Sequence, residues 1–305
     1  MNGFEAVIGL EVHLHLKTES KMFCGCRANY FGSEPNLSTC PVCLGLPGSL
    51  PVINRQAVEH GIMLALALDC EVSRRIQFYR KNYFYPDLPK NYQITGQNSP
   101  VGENGTLDVG GRQIHIHQVH LEEDVGKSVH PGARSVSLVD LNRAGVPLTE
   151  LVTEPDITSP QEARDFLSKL RTIAQTLGIS TANPEEGAMR ADVNVSVRPK
   201  GQKELGVKVE IKNLNSFRSV QRALEYEIDR QIKVLGTGGR LGQETRSWDD
   251  DRGTTETMRS KEFAHDYRYF PDPDLVPLLV DEKWIEFVKK EMPELAPARA
   301  ARFAR

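Results

Sequence analysis

The sequence predicts an α+β fold, a largely antiparallel sheet with helices on one face. Apolar and polar side chains alternate along residues 6–16, 189–198 and 207–213, which is typical of half-buried strands. Gly110-Gly111 joins two further strands as a hairpin, and capped helical segments stand apart from the strands. Alternation gives each strand one dry and one polar face, and antiparallel sheets commonly cover only the dry face. We therefore expect the helices to pack on the dry face.

Length and charge restrict the possible classes of protein. The 305 residues suffice for one large domain or two moderate ones. A formal net charge of −3 provides no global basic field, so any contact with nucleic acid must come from local patches. The longest apolar run, at 62–68, is too short to span a membrane, and the acidic N-terminus leads directly into a strand rather than a signal peptide. We expect a soluble, cytoplasmic protein with no membrane partner.

The first strand carries an unusual polar face. The even positions from residue 6 to residue 16 are apolar, whereas Glu11, His13 and His15 share the other face. Carboxylate and imidazole groups at this spacing can bind a divalent metal. A solvated outer face is the alternative, and the strand alone does not decide between them.

Four of the five cysteines form two close pairs. Cys24 and Cys26 give C-x-C, and Cys40 and Cys43 give C-x-x-C thirteen residues further on. This is the spacing of a four-thiolate zinc knuckle, here within segment 22–46, and four thiolates leave no open position for catalysis. Two disulfides or metal-free thiols are the alternatives. Cys70 lies in an apolar segment and is predicted to be a core thiol.

The next segments alternate between helix, loop and strand. A helix is predicted from about 54 to 68, with Asn54 as its cap. Residues 78–92 then interleave aromatic rings with basic and amide groups, which suits either stacking on nucleic-acid bases or an ordered, proline-fixed loop. The hairpin at 105–130 carries three consecutive acids, 122–124, at the end of its second strand, where they could hold a hard cation.

The chain from residue 136 onward adds two further predicted strands and three predicted helices. Strands are predicted at 136–143 and 148–153, the latter with Glu150 between apolar neighbours. Helices are predicted at 159–177, at 217–235 and near 284–290; Ser159 caps the first, and Asn215 or Ser216 the second. The loops 247–252 and 266–274 are charged and aromatic.

Three strands, centred on Glu11, Asp192 and Glu210, carry acids and bases on one face. If they are neighbours, their carboxylates could hold Mg²⁺ while Arg and Lys bind the phosphates that Mg²⁺ bridges. Solvated faces with cross-strand ion pairs are the alternative. The sequence contains no P-loop, no dinucleotide fingerprint and no amidase nucleophile segment.

Seven motifs occur in the order found in one family: 8–13, 40–48, 80–90, 121–124, 142–148 with Glu150, 210–216 and 266–271. The sequence resembles the B subunit of the tRNA-dependent Asp/Glu amidotransferases (GatB), from the first strand to about residue 277. The resemblance implies ATP-dependent phosphorylation of the side-chain carboxylate of Glu-tRNA(Gln) or Asp-tRNA(Asn). Ammonia then displaces the phosphate to give Gln-tRNA(Gln) or Asn-tRNA(Asn).

The resemblance also implies partners and a fold. The family takes ammonia from a separate glutaminase, the A subunit, and a small C subunit completes the heterotrimer; a non-discriminating aminoacyl-tRNA synthetase is a further expected partner. The sheet is expected to be similar to the glutamine synthetase catalytic fold. Residues 1–290 are expected to form the catalytic (cradle) domain, and residues 291–305 the start of a helical domain. The remainder of that domain and a tail domain are expected to be absent from this sequence.

Site residues follow from the motif positions. The resemblance implies that Mg²⁺ is held by Glu11, His13, Glu123 and Glu150, with Glu210 nearby. It implies that Lys81 and Lys90 lie where ammonia arrives, and that ATP phosphates meet Arg190, Asp192 and Lys212. The cysteines Cys24, Cys26, Cys40 and Cys43 match the zinc-bearing version of the family, with zinc in a structural role. Four other histidines, His15, His115, His117 and His120, are expected to be structural or supporting.

Two other functions are compatible with the residues. A metal-dependent hydrolase would hold a catalytic zinc on His13, His15 and the His115/His117 pair, and would need no ATP. A non-enzymatic zinc-knuckle tRNA-binding module would not need Glu11, Glu123 or Glu150 at all.

Overall fold

A computed structural model of the chain describes residues 3–131, 136–260 and 266–303. The helices in these ranges are α1 Arg55–Ala67, α2 Pro160–Thr176, α3 Phe217–Gly236, α4 Glu282–Glu291 and α5 Ala296–Phe303. The strands are β1 Phe4–His15, β2 Glu71–Val72, β3 Arg75–Ile76, β4 Tyr79–Asn82, β5 Tyr92–Thr95, β6 Gly102–Val109, β7 Arg112–Glu123, β8 Lys127–Val129, β9 Leu138–Asp140, β10 Pro147–Thr153, β11 Met189–Pro199, β12 Val209–Lys212, β13 Glu244–Asp249, β14 Thr254–Ser260, β15 Phe270–Pro271 and β16 Leu278–Leu279.

One 12-stranded sheet dominates the described residues. Its main path runs β14-β13-β12-β11-β1-β10-β7-β5-β4-β15, with β6 between β7 and β2. The neighbouring strands pair antiparallel except β12 and β13, which are parallel. The expected mixed fold with a largely antiparallel sheet is confirmed.

The core lies between the sheet and the helices. The even positions of β1 from Ala6 to Leu14 are buried, with Ile8 and Val12 fully inaccessible. Apolar side chains of α1, α2 and α3 join the same core, and Phe166 of α2 is also fully buried. Burying these side chains stabilises the fold by about 1.5–3 kcal/mol for each large residue. The helices therefore cover the dry face and leave part of the polar face accessible.

The helices begin at the expected caps. Asn54 accepts a hydrogen bond from the backbone N–H of Ala57, and Ser159 accepts one from that of Glu162. Ser216, rather than Asn215, caps α3. Each cap satisfies an N–H group that has no partner within its helix. No helix in the described ranges is long and apolar enough to cross a membrane.

Candidate active site

The polar face of the sheet is centred on β1. This strand lies between β10 and β11, and β12 follows β11, so the three strands with mixed acids and bases are consecutive in the sheet, which the sequence had left open. Antiparallel register fixes which side chains meet across the strands. The cross-strand pairs on this face are Glu11 with Asp192, His13 with Arg190 and with Glu150, and Glu210 with Asn194.

Three side chains on this face form what we call the acid–histidine cluster: His13, Glu122 and Glu150. One potential ligand atom from each lies within 4.8 Å of the other two. The Nε2 atom of His13 is 3.2 Å from Oε2 of Glu150. Two carboxylates and an imidazole, with the Glu11 carboxylate nearby, fit a hard divalent cation such as Mg²⁺ or Mn²⁺.

A fully buried histidine supports the two carboxylates of the cluster. Nε2 of His120 lies 3.2 Å from Oε1 of Glu122 and 3.6 Å from Oε2 of Glu150. Glu122 also accepts hydrogen bonds from Thr95 and Gln93, at 2.7 and 2.9 Å. These contacts fix the orientation of Glu122.

Burial and hydrogen bonding act in opposite directions on the charges of the cluster. Burial lowers the pKa of His120, but hydrogen bonds with Glu122 and Glu150 raise it to about 9. Burial raises the pKa of Glu150, but hydrogen bonds with His120 and His13 bring it well below its ordinary value. Burial and the Glu150 charge raise the pKa of Glu11. The carboxylates of Glu122 and Glu150 are thus kept ionised inside the protein.

Glu123 lies elsewhere, because successive side chains of a strand point to opposite faces. Its Oε1 atom accepts a hydrogen bond from the backbone N–H of Ile94 at 2.9 Å and a short one from Nζ of Lys90. The structure therefore does not bring Glu123 together with Glu11, His13 and Glu150. Glu122 takes that place. The sequence contains one indication of this: Glu122 is two residues from His120, so the two side chains lie on the same face of β7.

The two lysines expected near the ammonia are also separated. Burial lowers the pKa of Lys81, but the charges of Glu122 and Glu150 raise it above its ordinary value. Its Nζ lies 5.1 Å from the ring centroid of Tyr267. Lys81 thus faces the acid–histidine cluster, whereas Lys90 pairs with Glu123 on the other side of the sheet.

Beside Glu11, the polar face carries a second group of charges. Nζ of Lys212 pairs closely with Asp192 and lies 3.1 Å from Oε1 of Glu210. Burial lowers the pKa of Lys212, but Asp192 raises it above its ordinary value. Arg190 donates from Nη2 to Asp124 at 2.7 Å. The structure thus places Lys212 next to Asp192 and Glu210, and bonds Arg190 to an acid outside this group.

Comparison with known protein families shows which family the chain belongs to. The profile of the family described as "GatB/GatE catalytic domain" matches residues 6–286. The chain belongs to the GatB/GatE catalytic domain family.

Curated relatives agree with this assignment. A Thermus thermophilus protein, named as the B subunit of an aspartyl/glutamyl-tRNA(Asn/Gln) amidotransferase, is 61% identical over 300 residues, covering 98% of this chain and 63% of the relative. Proteins of the same name are 57% identical in Carboxydothermus hydrogenoformans, over 99% of this chain and 64% of the relative, and 58% identical in Moorella thermoacetica, over 98% and 64%. The chain spans less than two thirds of the length of these relatives.

This GatB/GatE catalytic domain has a second potential metal site at the cysteines. One sulfur atom from each of Cys24, Cys26, Cys40 and Cys43 lies within 4.8 Å of the others, and all four thiols are free. A hydrogen bond from Cys24, with a smaller contribution from the Lys21 charge, lowers the pKa of Cys43 to about 5. Four converging sulfur atoms fit tetrahedral zinc with no open position, as a structural site requires.

The aromatic stretches 78–92 and 266–274 meet at one cleft of this domain. The aromatic cleft, of about 610 Å³, is lined by Lys81, Asn82, Tyr83, Phe84, Tyr85, Asp266, Tyr267 and Arg268. Next to the cleft, Arg80 links the two stretches: it donates to Asp272 at 2.8 Å, and its guanidinium carbon lies 4.2 Å from the ring centroid of Tyr92. These contacts agree with the prediction of an ordered loop. The exposed rings of Phe84 and Tyr85 in the same segment are free to stack on a ligand.

The three histidines that a zinc hydrolase would use beside His13 have separate partners in this GatB/GatE catalytic domain. His15 pairs with Asp124 at 2.6 Å, and the exposed His115 and His117 pair with Asp156 and Glu154. Within the described ranges, none of these three joins His13 in a potential metal group. The ligand set of a zinc hydrolase is therefore not assembled here.

Proposed function

We propose that the chain is the catalytic part of the B subunit of a tRNA-dependent amidotransferase. It phosphorylates the side-chain carboxylate of Glu-tRNA(Gln) or Asp-tRNA(Asn) with ATP. Ammonia then converts the activated side chain to an amide. The observation that carries the proposal is the acid–histidine cluster, placed between Lys81 on one side and Lys212 on the other, in a chain 61% identical to a protein of that name.

The chemistry balances as two displacements. A carboxylate oxygen of the substrate attacks the γ-phosphorus of ATP, so that a P–O bond forms and ADP leaves. The nitrogen of ammonia then attacks the carbonyl carbon, inorganic phosphate leaves with the former carboxylate oxygen, and the nitrogen loses a proton. Phosphoryl transfer of this kind depends mainly on positioning and charge neutralisation.

Each group of residues has a part in this reaction. His13, Glu122 and Glu150, with Glu11 beside them, would hold Mg²⁺, which when bound neutralises phosphate charge. Lys212, which pairs with Asp192 and Glu210, would bind the ATP phosphates, and Arg190 on the same face would assist it. Lys81 would neutralise the substrate carboxylate and meet the incoming ammonia. The aromatic cleft, which Lys81 lines, would receive the aminoacyl end of the tRNA.

The proposal extends to partners and to zinc. Ammonia would come from the glutaminase, or A, partner, with the small C partner completing the heterotrimer. Zinc on the four cysteines would stabilise segment 22–46. The antiparallel sheet with a carboxylate-lined face supports a likeness to the glutamine synthetase catalytic fold, which activates a carboxylate in the same way.

The test supplies this chain with its glutaminase (A) and small (C) partners, Glu-tRNA(Gln) or Asp-tRNA(Asn), Mg²⁺ and ammonium chloride in place of glutamine. We expect amidated tRNA only when ATP is present. Product formed equally without ATP would contradict the proposal, because the carboxylate would then be amidated without phosphorylation. Unchanged product formation in a Glu150→Gln variant would contradict the role of the cluster and favour a tRNA-binding module.

A further inference from the structure

A chain of two hydrogen bonds links the aromatic cleft to the acid–histidine cluster. The hydroxyl group of Tyr83, a residue that lines the cleft, donates to Oε1 of Gln93 at 3.2 Å. Nε2 of Gln93 in turn donates to Oε2 of Glu122 at 2.9 Å. A tyrosine on the wall of the cleft is thus connected with one of the carboxylates of the potential cation site. Neither Tyr83 nor Gln93 has a part in the reaction steps described above.

Backbone pairing between strands brings these side chains together. Lys81 of β4 is the cross-strand partner of Gln93 in β5, and Thr95 of β5 is the partner of Glu122 in β7. Cross-strand partners lie on the same face of a sheet, and so do residues two positions apart in one strand. Gln93 and Glu122 are therefore fixed on the polar face by the sheet. Tyr83, two positions beyond Lys81, reaches them from the same side.

The side-chain amide of Gln93 is restricted to one orientation. Its NH₂ group donates to the carboxylate of Glu122 and, at 2.6 Å, to the backbone carbonyl of Glu123, and both of these groups are acceptors only. The amide oxygen must therefore point the other way, where the hydroxyl group of Tyr83 is its donor. Because Gln93 is buried, an amide oxygen without a donor is costly. Loss of the Tyr83 hydroxyl would allow the amide to shift, and Glu122 with it.

Packing of neighbouring rings holds the ring of Tyr83 at a defined position. The residue is half-buried, and its ring centroid lies 6.0 Å from that of Tyr85 and 6.0 Å from that of Tyr267, in edge-to-face arrangements. These contacts use the ring and not the hydroxyl group. A Tyr83→Phe substitution therefore retains the packing of the cleft and removes only the donor to Gln93.

We propose that Tyr83 and Gln93 are positioning residues, which hold Glu122 in the geometry in which the acid–histidine cluster binds its divalent cation. The inference rests on the proposed function, because that function places Mg²⁺ on this cluster. Partners that orient a ligand from outside contribute about 10–100-fold to the affinity for the metal. Because Tyr83 also lines the aromatic cleft, a substrate that contacts its ring acts on a residue that positions Glu122. The cleft and the cation site thus share a structural element.

The test is the affinity of the full chain for Mn²⁺, measured by electron paramagnetic resonance of the free ion after one equivalent of zinc has filled the cysteines. Mn²⁺ takes the same oxygen-rich sites as Mg²⁺. We expect Tyr83→Phe to weaken Mn²⁺ binding at least about threefold and Gln93→Met at least about tenfold, since Gln93 contacts Glu122 directly. The double variant should match Gln93→Met alone, because Tyr83 acts through Gln93. In the amidation assay, excess Mg²⁺ should restore the rate of Tyr83→Phe.

Tyr226→Phe is the matched control, since Tyr226 lies on α3 and packs against the core on the other face of the sheet. It should bind Mn²⁺ as the wild type does, whereas Glu150→Gln should bind it poorly and so identify the site. Wild-type Mn²⁺ affinity in both Tyr83→Phe and Gln93→Met would overturn the positioning role, and so would losses that multiply in the double variant. Neither result would affect ATP-dependent amidation by the wild type. Conversely, weakened Mn²⁺ binding in the variants of a chain that forms no amide with ATP would contradict the proposed reaction and leave the positioning role intact.

Discussion

The carboxylates of Glu122 and Glu123 lie on opposite sides of β7 and have different partners. Glu122 joins His13 and Glu150 in the acid–histidine cluster, whereas Glu123 pairs with Lys90. One of these adjacent acids thus belongs to a potential metal site on one side of the sheet, and the other to a buried ion pair on the opposite side. Substitution of Glu122 should therefore affect the acid–histidine cluster, and substitution of Glu123 only the ion pair with Lys90.

Lys81 should matter for amidation more than for nucleotide binding. In a Lys81→Met variant the cation facing Glu122 and Glu150 is lost, and we expect the ammonium-dependent rate to fall at least about 100-fold, because the substrate carboxylate loses its neutralising partner. Binding of ATP with Mg²⁺, measured by calorimetry, should be unchanged. Lys81→Arg keeps the charge and should recover part of the rate. A Met variant with the wild-type rate would rule out this role.

His120 should make stability depend on pH in the metal-free chain. Its pKa is about 9 in the folded protein, above the ordinary value of about 6.5 in the unfolded chain. The resulting stability is fully present below pH 6.5 and is lost as the pH rises through 9, with a total of about 3 kcal/mol. Urea unfolding between pH 6 and pH 9.5 measures this slope.

Two histidine variants control that measurement. His120→Asn should flatten the slope and lower the free energy of unfolding most at pH 6. His117→Asn removes an exposed histidine of the same strand and should keep the wild-type slope. If the slope persisted in His120→Asn, another group would have to cause it.

Lys21 should stabilise the cysteine site. This lysine is fully buried, and its Nζ donates to the backbone carbonyl of Ser38 at 2.6 Å and lies 3.9 Å from Sγ of Cys43. Lys21→Met leaves the carbonyl without its donor and the thiolates without a counter-charge. We expect a loss of about 1–3 kcal/mol in the free energy of unfolding. Zinc should also pass to a chelator about 10–100 times faster.

Lys17 provides the comparison for Lys21, because it is exposed and only four residues away. Lys17→Met should unfold and release zinc as the wild type does. Equal zinc release from the two variants would contradict a specific role for Lys21.

The sequence was sufficient for features that are set locally. Alternation along β1 and β11 predicted their dry and polar faces, and Ser159 and Asn54 predicted helix starts, because strand parity and capping depend on a few adjacent residues. The sequence showed that β1, β11 and β12 share a pattern of polar faces but left open whether they are neighbours; the sheet order shows that they are.

The register between strands and the paths of the loops could not be predicted from the sequence. Which of the acids at 122–124 faces Glu150 depends on how β7 pairs with β10, and this pairing shifts at Val152 and Thr153. The separation of Lys81 from Lys90 depends on the path of the loop between them.

The central claim is that the acid–histidine cluster binds the Mg²⁺ that accompanies ATP. The most direct test is the Mg²⁺ concentration for half-maximal ammonium-dependent amidation, measured for the wild type, Glu122→Gln and Glu123→Gln. We expect Glu122→Gln to raise that concentration at least about tenfold, and Glu123→Gln to leave it within about twofold. An unchanged Mg²⁺ requirement in Glu122→Gln, or a larger rise in Glu123→Gln, would contradict the account.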